Sequence, residues 1–506
     1  MTGNDTAINK IKEQVRKNLN GGVSIVIIGA SGDLAKKKTF PALFKLYQQK
    51  FFPEKTQIIG YARTEMDDEE YHKRVTMSID TEKEEGVKDF LKICHYVSGQ
   101  YDEDDSFKKL NDFVNDVEKK NGVKDDQKNR IFYLAVPAQV YVPVSERCKK
   151  FVYQDGAYNA LIVEKPFGKD SDTYKQFAKD IYGTWDRNEV YLIDHYLGKE
   201  LLKNMMNLRF ANTFFEPMWN SKYIDNVQIT LKEPFGCEGR GGYFDEYGAI
   251  RDVIQNHLLQ VFNLIAMDRP KDASPEAVAE EKTKLLNAVK PIKLEDTLLG
   301  QYTRNGDKPA YQEDDTVEDG SLTSTFATVV LWIDNERWSN VPFIIKSGKA
   351  MDNYKCEARI QFKKLPGDLF KDTPRNELVI NIEPDEAVYL KLNSKHPGYS
   401  DDNLVTDLDL TYKERYDNLK IPKAYEALIV DVMRGRHANF VGDDELQASW
   451  RVFTPLLHQI EKEKIKPEPY PHGTRGPEKL DEFVKKYGVE RLSDEDYEWP
   501  SKDLDG

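Results

Sequence analysis

The chain has 506 residues, which is too long for a single hydrophobic core and predicts roughly two to four domains. Its net charge of -14 argues against a general nucleic-acid-binding protein, although a local basic pocket can still bind a phosphorylated substrate. The sequence shows no apolar signal segment, no run near the ~20 apolar residues of a membrane span, and no CxxC pair among its four cysteines. These features favour a cytosolic enzyme or soluble binding protein and argue against a zinc site.

Predicted strands and helices alternate through the first 200 residues. Apolar, β-branched runs predict buried strands at residues 23–28, 57–63, 130–136, 160–164 and 190–193. Residues 1–20 predict a loose arm or a short helix, and the charge-rich stretch 64–128 is expected to be mostly helical. Strands that alternate with helices in this way indicate a parallel, doubly wound sheet.

The pattern changes beyond residue 200, where several predicted strands alternate in polarity as in an antiparallel sheet with one covered face. These strands are predicted at residues 226–232, 325–333, 342–347, 358–363, 377–382 and 387–392. Helical patterns cover 201–206, 248–267 and 424–434. The predicted fold class is α/β plus α+β. An N-terminal Rossmann-like doubly wound domain spans residues 1–199, and a larger C-terminal α+β domain with a mainly antiparallel sheet spans residues 200–506.

A glycine-containing turn, Gly29-Ala30-Ser31-Gly32, joins the first predicted strand to a helix. Glycines allow the backbone to turn sharply and to approach a pyrophosphate at the helix N-terminus. The spacing departs from GxGxxG, so a plain strand-to-helix turn stays an alternative. Arg63 follows the second strand, where an arginine favours NADP over NAD by pairing with the 2′-phosphate. The alternative for Arg63 is a solvated surface arginine.

The densest group of reactive side chains lies in residues 193–200, IDHYLGKE, between a predicted strand and a predicted helix. Open α/β sheets bind ligands at such carboxyl ends of strands, and we expect the backbone N–H groups of Leu197 to Lys199 to face an anion. A polar loop with one surface histidine is the alternative. Lys165, after another strand, is expected near the nicotinamide unless it lies in a surface turn. Pro166 is a candidate for a cis peptide bond.

His257 lies in a predicted helix whose apolar residues surround it heavily. A lone histidine in that position is either a satisfied core residue or a base, and a base needs an orienting carboxylate. Asp252 lies five residues earlier, and residues 193–200 could also supply the carboxylate. Two further loops stand out: residues 237–245, whose glycines indicate a shaped loop, and residues 346–349, whose two lysines could reach a phosphate. Either of these loops could instead be a plain turn.

Several motifs together carry a resemblance to a known family. In chain order they are GASGDLA, EKPFG, IDHYLGKE, EGRGGYFDEYG, RDVIQNHLLQ, FIIKSGKA, FTPLLHQIE and HGTRGP. With these motifs the chain resembles the glucose-6-phosphate dehydrogenase family over nearly its whole length. The resemblance implies an oxidoreductase that oxidises D-glucose 6-phosphate at C1 to 6-phospho-D-glucono-1,5-lactone, with hydride transfer to NADP. It also implies the first step of the oxidative pentose phosphate pathway, a cytoplasmic location, self-association to a dimer or tetramer, and no metal.

The resemblance further implies a role for each site residue. His257 is expected to be the general base that removes the proton from the C1 hydroxyl, with Asp194 as its carboxylate partner. The expected phosphate contacts are His195, Tyr196 and Lys199. The expected remaining sugar contacts are Lys165, Glu233, Asp252 and Lys349. The expected coenzyme contacts are Gly29, Ser31, Gly32, Asp33, Leu34, Arg63 and Lys165.

Some members of that family carry a second, structural NADP on the large domain. The residues that match parts of its site are Lys355, Arg359, Tyr389, Lys391 and Arg475. This chain departs from the human-type pattern at three positions: Asn381 and Tyr354 replace arginines, and Glu383 replaces a glutamine. Fewer cationic contacts are therefore expected at the second coenzyme site.

Two other functions fit parts of the sequence. An oxidoreductase acting on an unphosphorylated sugar could also use a Glu-Lys-Pro turn after a strand, but it would not require Lys199 and His195. A catalytically inactive NADP-binding sensor belongs to a different class, and it would not require the pair of Asp194 and His257.

Overall fold

The computed structural model describes residues 3–367, 369–370, 373–399 and 401–491. The chain divides into two compact units. The first takes the described parts of Met1–Lys199, Asp272–Ala279 and Pro422–Leu446, and the second takes those of Glu200–Lys271, Glu280–Ile421 and Gln447–Gly506. The first unit therefore includes two segments from far along the chain. A domain boundary between residues 199 and 200 stays a prediction.

The first unit contains a six-stranded, wholly parallel sheet. Its strands are β1 Val23–Ile28, β2 Gln57–Ala62, β3 Cys94–Ser98, β4 Asn129–Leu134, β5 Asn159–Val163 and β6 Val190–Leu192. Their spatial order, β3-β2-β1-β4-β5-β6, changes direction between β1 and β4. Dinucleotides bind at the carboxyl ends of the strands next to this switch point. The predicted Rossmann-like sheet is confirmed, although the helical interpretation of residues 64–128 missed β3.

Helices lie between the strands of the first unit in the sequence, and they also make up much of the second unit. The α-helices are α1 Gly3–Asn18, α2 Phe40–Gln48, α3 Asp68–Thr76, α4 Val87–Leu91, α5 Asp104–Lys120, α6 Tyr141–Arg147, α7 Ser171–Thr184, α8 Glu200–Phe210, α9 Phe215–Met218, α10 Gly241–Asp245, α11 Leu259–Ala266, α12 Pro275–Ala288, α13 Tyr412–Arg415, α14 Ala424–Met433, α15 Asp443–Glu463 and α16 Leu480–Lys485. Three π-helical segments occupy Ala35–Thr39, Cys148–Val152 and Ile250–Leu258. The 3₁₀ turns are Asp125–Gln127, Ala138–Val140, Arg187–Glu189, His195–Gly198, Leu294–Asp296 and Tyr311–Glu313.

The N-terminal residues form the helix α1 because they repeat apolar side chains at helical spacing. Val15 and Leu19 are fully buried, and Ile8 and Ile11 pack against the same core. Asn18 fixes the end of α1 by donating its side-chain amide to the carbonyl of Met433 at 3.0 Å. Of the two alternatives for residues 1–20, the described residues of this stretch form a helix, Gly3–Asn18.

The second unit contains a nine-stranded sheet. Its strands are β7 Ile224–Lys232, β8 Thr297–Thr303, β9 Phe326–Leu331, β10 Phe343–Gly348, β11 Lys355–Phe362, β12 Glu377–Glu383, β13 Ala387–Lys395, β14 Asn403–Thr411 and β15 Glu468–Pro471. The order is β14-β13-β12-β11-β7-β10-β9-β8-β15, and only the β7–β10 and β8–β15 pairs are parallel. The predicted, mainly antiparallel sheet is confirmed, with β8, β14 and β15 in addition to the predicted strands.

Candidate active site

The loop after β6 is a single 3₁₀ turn, His195–Gly198, that joins the sheet to α8. Asp194 caps this turn by accepting the backbone N–H of Tyr196 on Oδ1 at 2.9 Å. The N–H groups of Leu197 and Lys199 donate to the carbonyls of Asp194 and Tyr196 at 3.1 and 3.0 Å. The expectation that these N–H groups face an anion is therefore wrong at Leu197 and Lys199, because the turn itself satisfies them.

His195 is held on two sides within the first unit. Its Nε2 lies 3.0 Å from Oε2 of Glu164, and its ring stacks on Tyr425 with centroids 3.9 Å apart and planes 21° apart. The other oxygen of Glu164 accepts the hydroxyl of Tyr133 at 2.5 Å. Burial works against the charge of the Glu164 carboxylate, but His195 and Tyr133 outweigh that effect and lower its pKa.

Gly198 allows α14 to approach this loop closely. A Cβ atom at position 198 would lie 2.7 Å from the carbonyl oxygen of Ala424, the first residue of α14. Tyr425 follows Ala424, so this approach brings its ring onto His195. In the same turn, Nζ of Lys199 lies 4.9 Å from the ring centroid of Tyr196, which is buried. Thus the three predicted phosphate residues share one turn.

Lys165 follows β5, next to Glu164, as the sequence indicated. The peptide bond between Lys165 and Pro166 is cis, which confirms the proposed isomer. The charge of Lys165 is among the groups that lower the pKa of Glu164, so the two side chains interact electrostatically. Parallel pairing of β5 with β6 brings the Glu-Lys-Pro turn and the loop after β6 to the same edge of the sheet.

The glycine turn after β1 packs tightly against the end of β4. Gly29 has φ +92°, and a Cβ atom there would lie 2.3 Å from the carbonyl oxygen of Ala135. At Gly32 a Cβ atom would lie 3.1 Å from the Gly29 oxygen. Such a cradle lets a pyrophosphate approach the backbone, so these residues fit a dinucleotide. Hydrogen bonds and charge from Lys36 and Lys37 lower the pKa of Asp33 to about 2.

Arg63 lies just past β2 and is exposed. Its guanidinium carbon lies 5.4 Å from the ring centroid of Tyr101, within cation–π range. The adjacent Thr64 donates its hydroxyl to Ser31 at 3.5 Å, which connects the end of β2 to the glycine turn. An exposed cation beside that turn suits a 2′-phosphate.

Three of the predicted sugar contacts lie together in the second unit. Nζ of Lys349 lies 2.6 Å from Oε2 of Glu233 and 3.7 Å from Oδ2 of Asp252. The same ammonium lies 5.2 Å from the ring centroid of Phe244. Burial opposes the charge of Lys349, but the two carboxylates outweigh it and raise its pKa. The cluster therefore offers one cation and two acceptors for hydroxyl groups.

His257 lies in a π-helical segment, Ile250–Leu258, and not in the continuous α-helix that the periodicity predicted. In a π-helix the backbone hydrogen bond joins residues five apart. Asp252 and His257 are five apart, so π winding brings them nearer to one face than α winding would. Ile254 and Leu258 are fully buried on this segment, while His257 is half-buried. Asp194 belongs to the first unit and His257 to the second, so their pairing stays a prediction.

The glycine-rich loop at residues 237–245 is shaped by its contacts with the acidic loop that follows β8. Asp314 accepts the backbone N–H of Gly239 at 2.7 Å, and Gly239 has φ +74°. A Cβ atom at Gly241 would lie 2.4 Å from the Val317 side chain. The first residues of this stretch form a shaped loop, whereas Gly241–Asp245 form α10, which the loop interpretation missed.

The positions that depart from the second coenzyme pattern have other partners in the second unit. Tyr354 donates its hydroxyl to Glu383 at 2.5 Å, so the two substituted residues pair with each other. The Asn381 amide donates to the carbonyl of Asp385 at 3.0 Å, within the turn between β12 and β13. Nε of Arg359 lies 2.7 Å from Glu357, a partner within its own strand.

Comparison with known proteins fits this arrangement. The NAD binding domain of glucose-6-phosphate dehydrogenase matches residues 26–204, and the C-terminal domain of glucose-6-phosphate dehydrogenase matches residues 206–499. The chain belongs to the glucose-6-phosphate dehydrogenase family. The resemblance that its motifs indicated is thereby confirmed over almost the full length.

Curated relatives of this family align with nearly the whole chain. Glucose-6-phosphate 1-dehydrogenase of Emericella nidulans is 53% identical over 482 residues, with 94% of each chain covered. Its counterpart in Cyberlindnera jadinii is 48% identical, covering 96% of this chain and 98% of the relative. A solved structure described as glucose-6-phosphate dehydrogenase in complex with its substrate glucose-6-phosphate has a TM-score of 0.89 at 45% identity. It covers 93% of this chain and 98% of that one.

Sequence reasoning missed three residues around His195. Glu164 was visible in the EKPFG motif but had no role assigned to it, although its position after a buried strand was a usable signal. Tyr133 lies within a buried strand and resembles an ordinary core tyrosine. Tyr425 lies more than 200 residues beyond His195, and no local pattern relates the two.

None of the helices in the described ranges is long and apolar enough to span a membrane.

Proposed function

We propose that the protein oxidises D-glucose 6-phosphate at C1 to 6-phospho-D-glucono-1,5-lactone and transfers the hydride to NADP. The match of both family models, over residues 26–204 and 206–499, carries this proposal. The reaction is the first step of the oxidative pentose phosphate pathway and makes the protein a source of NADPH in glucose metabolism.

His257 acts as the general base that takes the proton of the C1 hydroxyl, and Asp194 orients its ring and stabilises the imidazolium. NADP, when bound, supplies the nicotinamide C4 that accepts the hydride. A base is needed because the C1 oxygen must lose its proton as the C1–H bond breaks. The half-buried position of His257 on a π-helical segment with a buried apolar face supports this role, since it leaves part of the residue accessible to a substrate.

His195, Tyr196 and Lys199 hold the substrate phosphate. A dianion held by cations and a phenol fixes one end of the sugar and so directs C1. Their location in a single turn after β6 supports this role. The other sugar contacts are Lys165, Glu233, Asp252 and Lys349, three of which form one charged cluster.

The coenzyme is NADP, bound at the turn after β1. The turn residues proposed to contact it are Gly29, Ser31, Gly32, Asp33 and Leu34, together with Lys165 at the nicotinamide end. The Gly29 cradle against Ala135 supports the pyrophosphate position. Arg63 supplies the 2′-phosphate contact, so Arg63→Ala should weaken NADP binding and leave NAD binding nearly unchanged. Equal losses for the two coenzymes, measured by fluorescence titration, would contradict this role.

NADPH formation followed by its absorbance tests the proposal directly. Glucose 6-phosphate and glucose are each assayed with NADP and with NAD. Turnover is expected with glucose 6-phosphate and NADP, and much weaker turnover with glucose. Equal efficiency on glucose would refute the phosphate contacts. An absence of turnover with either sugar, despite NADP binding, would favour the sensor instead.

Replacement of the base tests the mechanism. His257→Asn should lower kcat by about 10²–10⁴, the usual cost of losing a general base, while the Kd for NADP stays the same. Asparagine has a similar size and keeps a polar group in the helix, so coenzyme affinity serves as the control for folding. Unchanged turnover would remove His257 from the mechanism.

We further propose a cytoplasmic location and self-association to a dimer or tetramer through the large sheet. The terminal strand β14 supports the second point, because Leu408 on it is 64% exposed and β14 pairs on one side only among the described strands, which favours pairing with another strand. Light scattering after size exclusion measures the mass, and a monomer at micromolar concentration would contradict the proposal. Cell fractionation tests the location.

A further inference from the structure

Glu164 is a buried carboxylate to which the proposed reaction assigns no role. It is 5% exposed. Its Oε1 accepts the Tyr133 hydroxyl at 2.5 Å, and its Oε2 lies 3.0 Å from Nε2 of His195. A buried carboxylate with two hydrogen-bond partners is fixed in position, so the residue that it holds is fixed as well.

The His195 ring has one nitrogen without a partner. Nε2 faces Glu164, and stacking on Tyr425 fixes the plane of the ring. Nδ1 is buried and has no hydrogen-bond partner among the described residues. A protonated imidazole has two N–H donors. The Nδ1 donor is therefore the one that an anionic ligand oxygen can satisfy.

Glu164 is the anion that directly contacts the ring, and its lowered pKa keeps it ionised near neutral pH. An ionised carboxylate can only accept hydrogen bonds, so it takes the N–H of Nε2 and leaves Nδ1 as the ring nitrogen that can meet a ligand. The positive charge of Lys165 acts on the same carboxylate.

We propose that Glu164 is a positioning residue for phosphate binding: it holds His195 through Nε2, so that Nδ1–H donates to a phosphate oxygen of the substrate. This inference rests on the proposed function, in which His195 contacts the phosphate. It extends that function by making phosphate affinity depend on a carboxylate that does not touch the substrate.

Glu164→Gln tests the inference, because glutamine keeps the shape and an acceptor but carries no charge. The KM for glucose 6-phosphate should rise about tenfold, the loss of one charge-assisted contact, while kcat at saturating substrate stays nearly the same. The Kd for NADP should not change. An unchanged KM would overturn the inference.

Tyr133→Phe is the opposing variant. It removes a donor to Glu164 but leaves the charge of the carboxylate and its contact with His195, so the KM for glucose 6-phosphate should not rise. A general packing defect around Glu164 would raise the KM in both variants, and that result would overturn the inference. Tyr133→Phe also gives this test by itself if Glu164→Gln fails to fold.

His195→Ala separates the inference from the proposed function. It should raise the KM for glucose 6-phosphate, and Glu164→Gln added to it should raise the KM no further. An unchanged KM in His195→Ala would refute the phosphate role of His195, and the inference would fall with it. A raised KM in His195→Ala, combined with an unchanged KM in Glu164→Gln, would refute the inference alone.

Discussion

Gly198→Ala should separate α14 from the loop after β6. A Cβ atom at position 198 would lie 2.7 Å from the oxygen and 2.9 Å from the Cα of Ala424. Both atoms belong to the backbone of α14, so no side-chain rotation can relieve the contact. The helix or the loop must move, and Tyr425, the next residue, then loses its position on His195.

The size of the effect follows from these distances. Ordinary contact begins at 3.4 Å, so a shift of about 0.7 Å is needed. Overpacking of this kind costs about 1–3 kcal/mol and lowers Tm by several degrees. Because phosphate binding needs His195 held in place, we expect the KM for glucose 6-phosphate to rise about tenfold. The coenzyme turn is untouched, so the Kd for NADP should not change.

Gly183→Ala is the matched control in the same unit. Gly183 lies in α7, and a Cβ atom there would meet nothing within 4 Å. Alanine favours a helix over glycine by about 1 kcal/mol, so this variant should melt at or above the original temperature. Calorimetry and steady-state kinetics compare the two variants. If Gly198→Ala melts and binds substrate like the unmodified protein, the close approach of α14 is refuted.

Three further outcomes follow from buried groups. Gly29→Ala should weaken NADP binding at least about tenfold in a fluorescence titration, because its Cβ would lie 2.3 Å from the Ala135 oxygen and φ is +92°. Glu118→Gln should cost about 3–5 kcal/mol in urea unfolding, since it leaves Arg130 buried without the carboxylate now 2.8 Å away. Burial lowers the pKa of Lys346 to about 7. The unfolded chain holds this proton up to about pH 10, so the charge destabilises the fold most at or below pH 7. Lys346→Met should therefore raise Tm at pH 7, with a gain that shrinks by up to about 1.4 kcal/mol per pH unit towards pH 9.

The elements that could be predicted are those whose own residues determine burial. β1 is six consecutive buried residues, and its apolar sequence needs no partner to be recognised. β3 is different: its five residues, CHYVS, include a histidine and a serine, and those two are only partly buried. It is a strand because it pairs with β2, and the sequence of β3 itself does not indicate that pairing.

The same limit applies to the site. Parallel pairing of β4, β5 and β6 brings Tyr133, Glu164 and the loop after β6 to one sheet edge. The sequence predicts these strands individually, and the resemblance assigns a role to His195. The order of the strands is what makes Glu164 the neighbour of His195. Tyr425 stacks on His195 because α14, far along the chain, packs against this loop, and no local sequence pattern predicts that contact.

The sequence correctly predicts a helix around His257, but it does not predict the π winding that brings the charged residues of this helix together. Five residues of α-helix turn by about 140° beyond one full turn, which would place Asp252 and His257 on different faces. The apolar positions fit α-helical spacing, so the periodicity of the sequence did not indicate a π-helical segment. π winding joins residues five apart, and it lets Asp252 face Lys349 while His257 approaches the same side. Deletion of one residue between them tests this account, because four residues of α-helix turn by about 40° beyond one full turn and keep both side chains near one face without π winding.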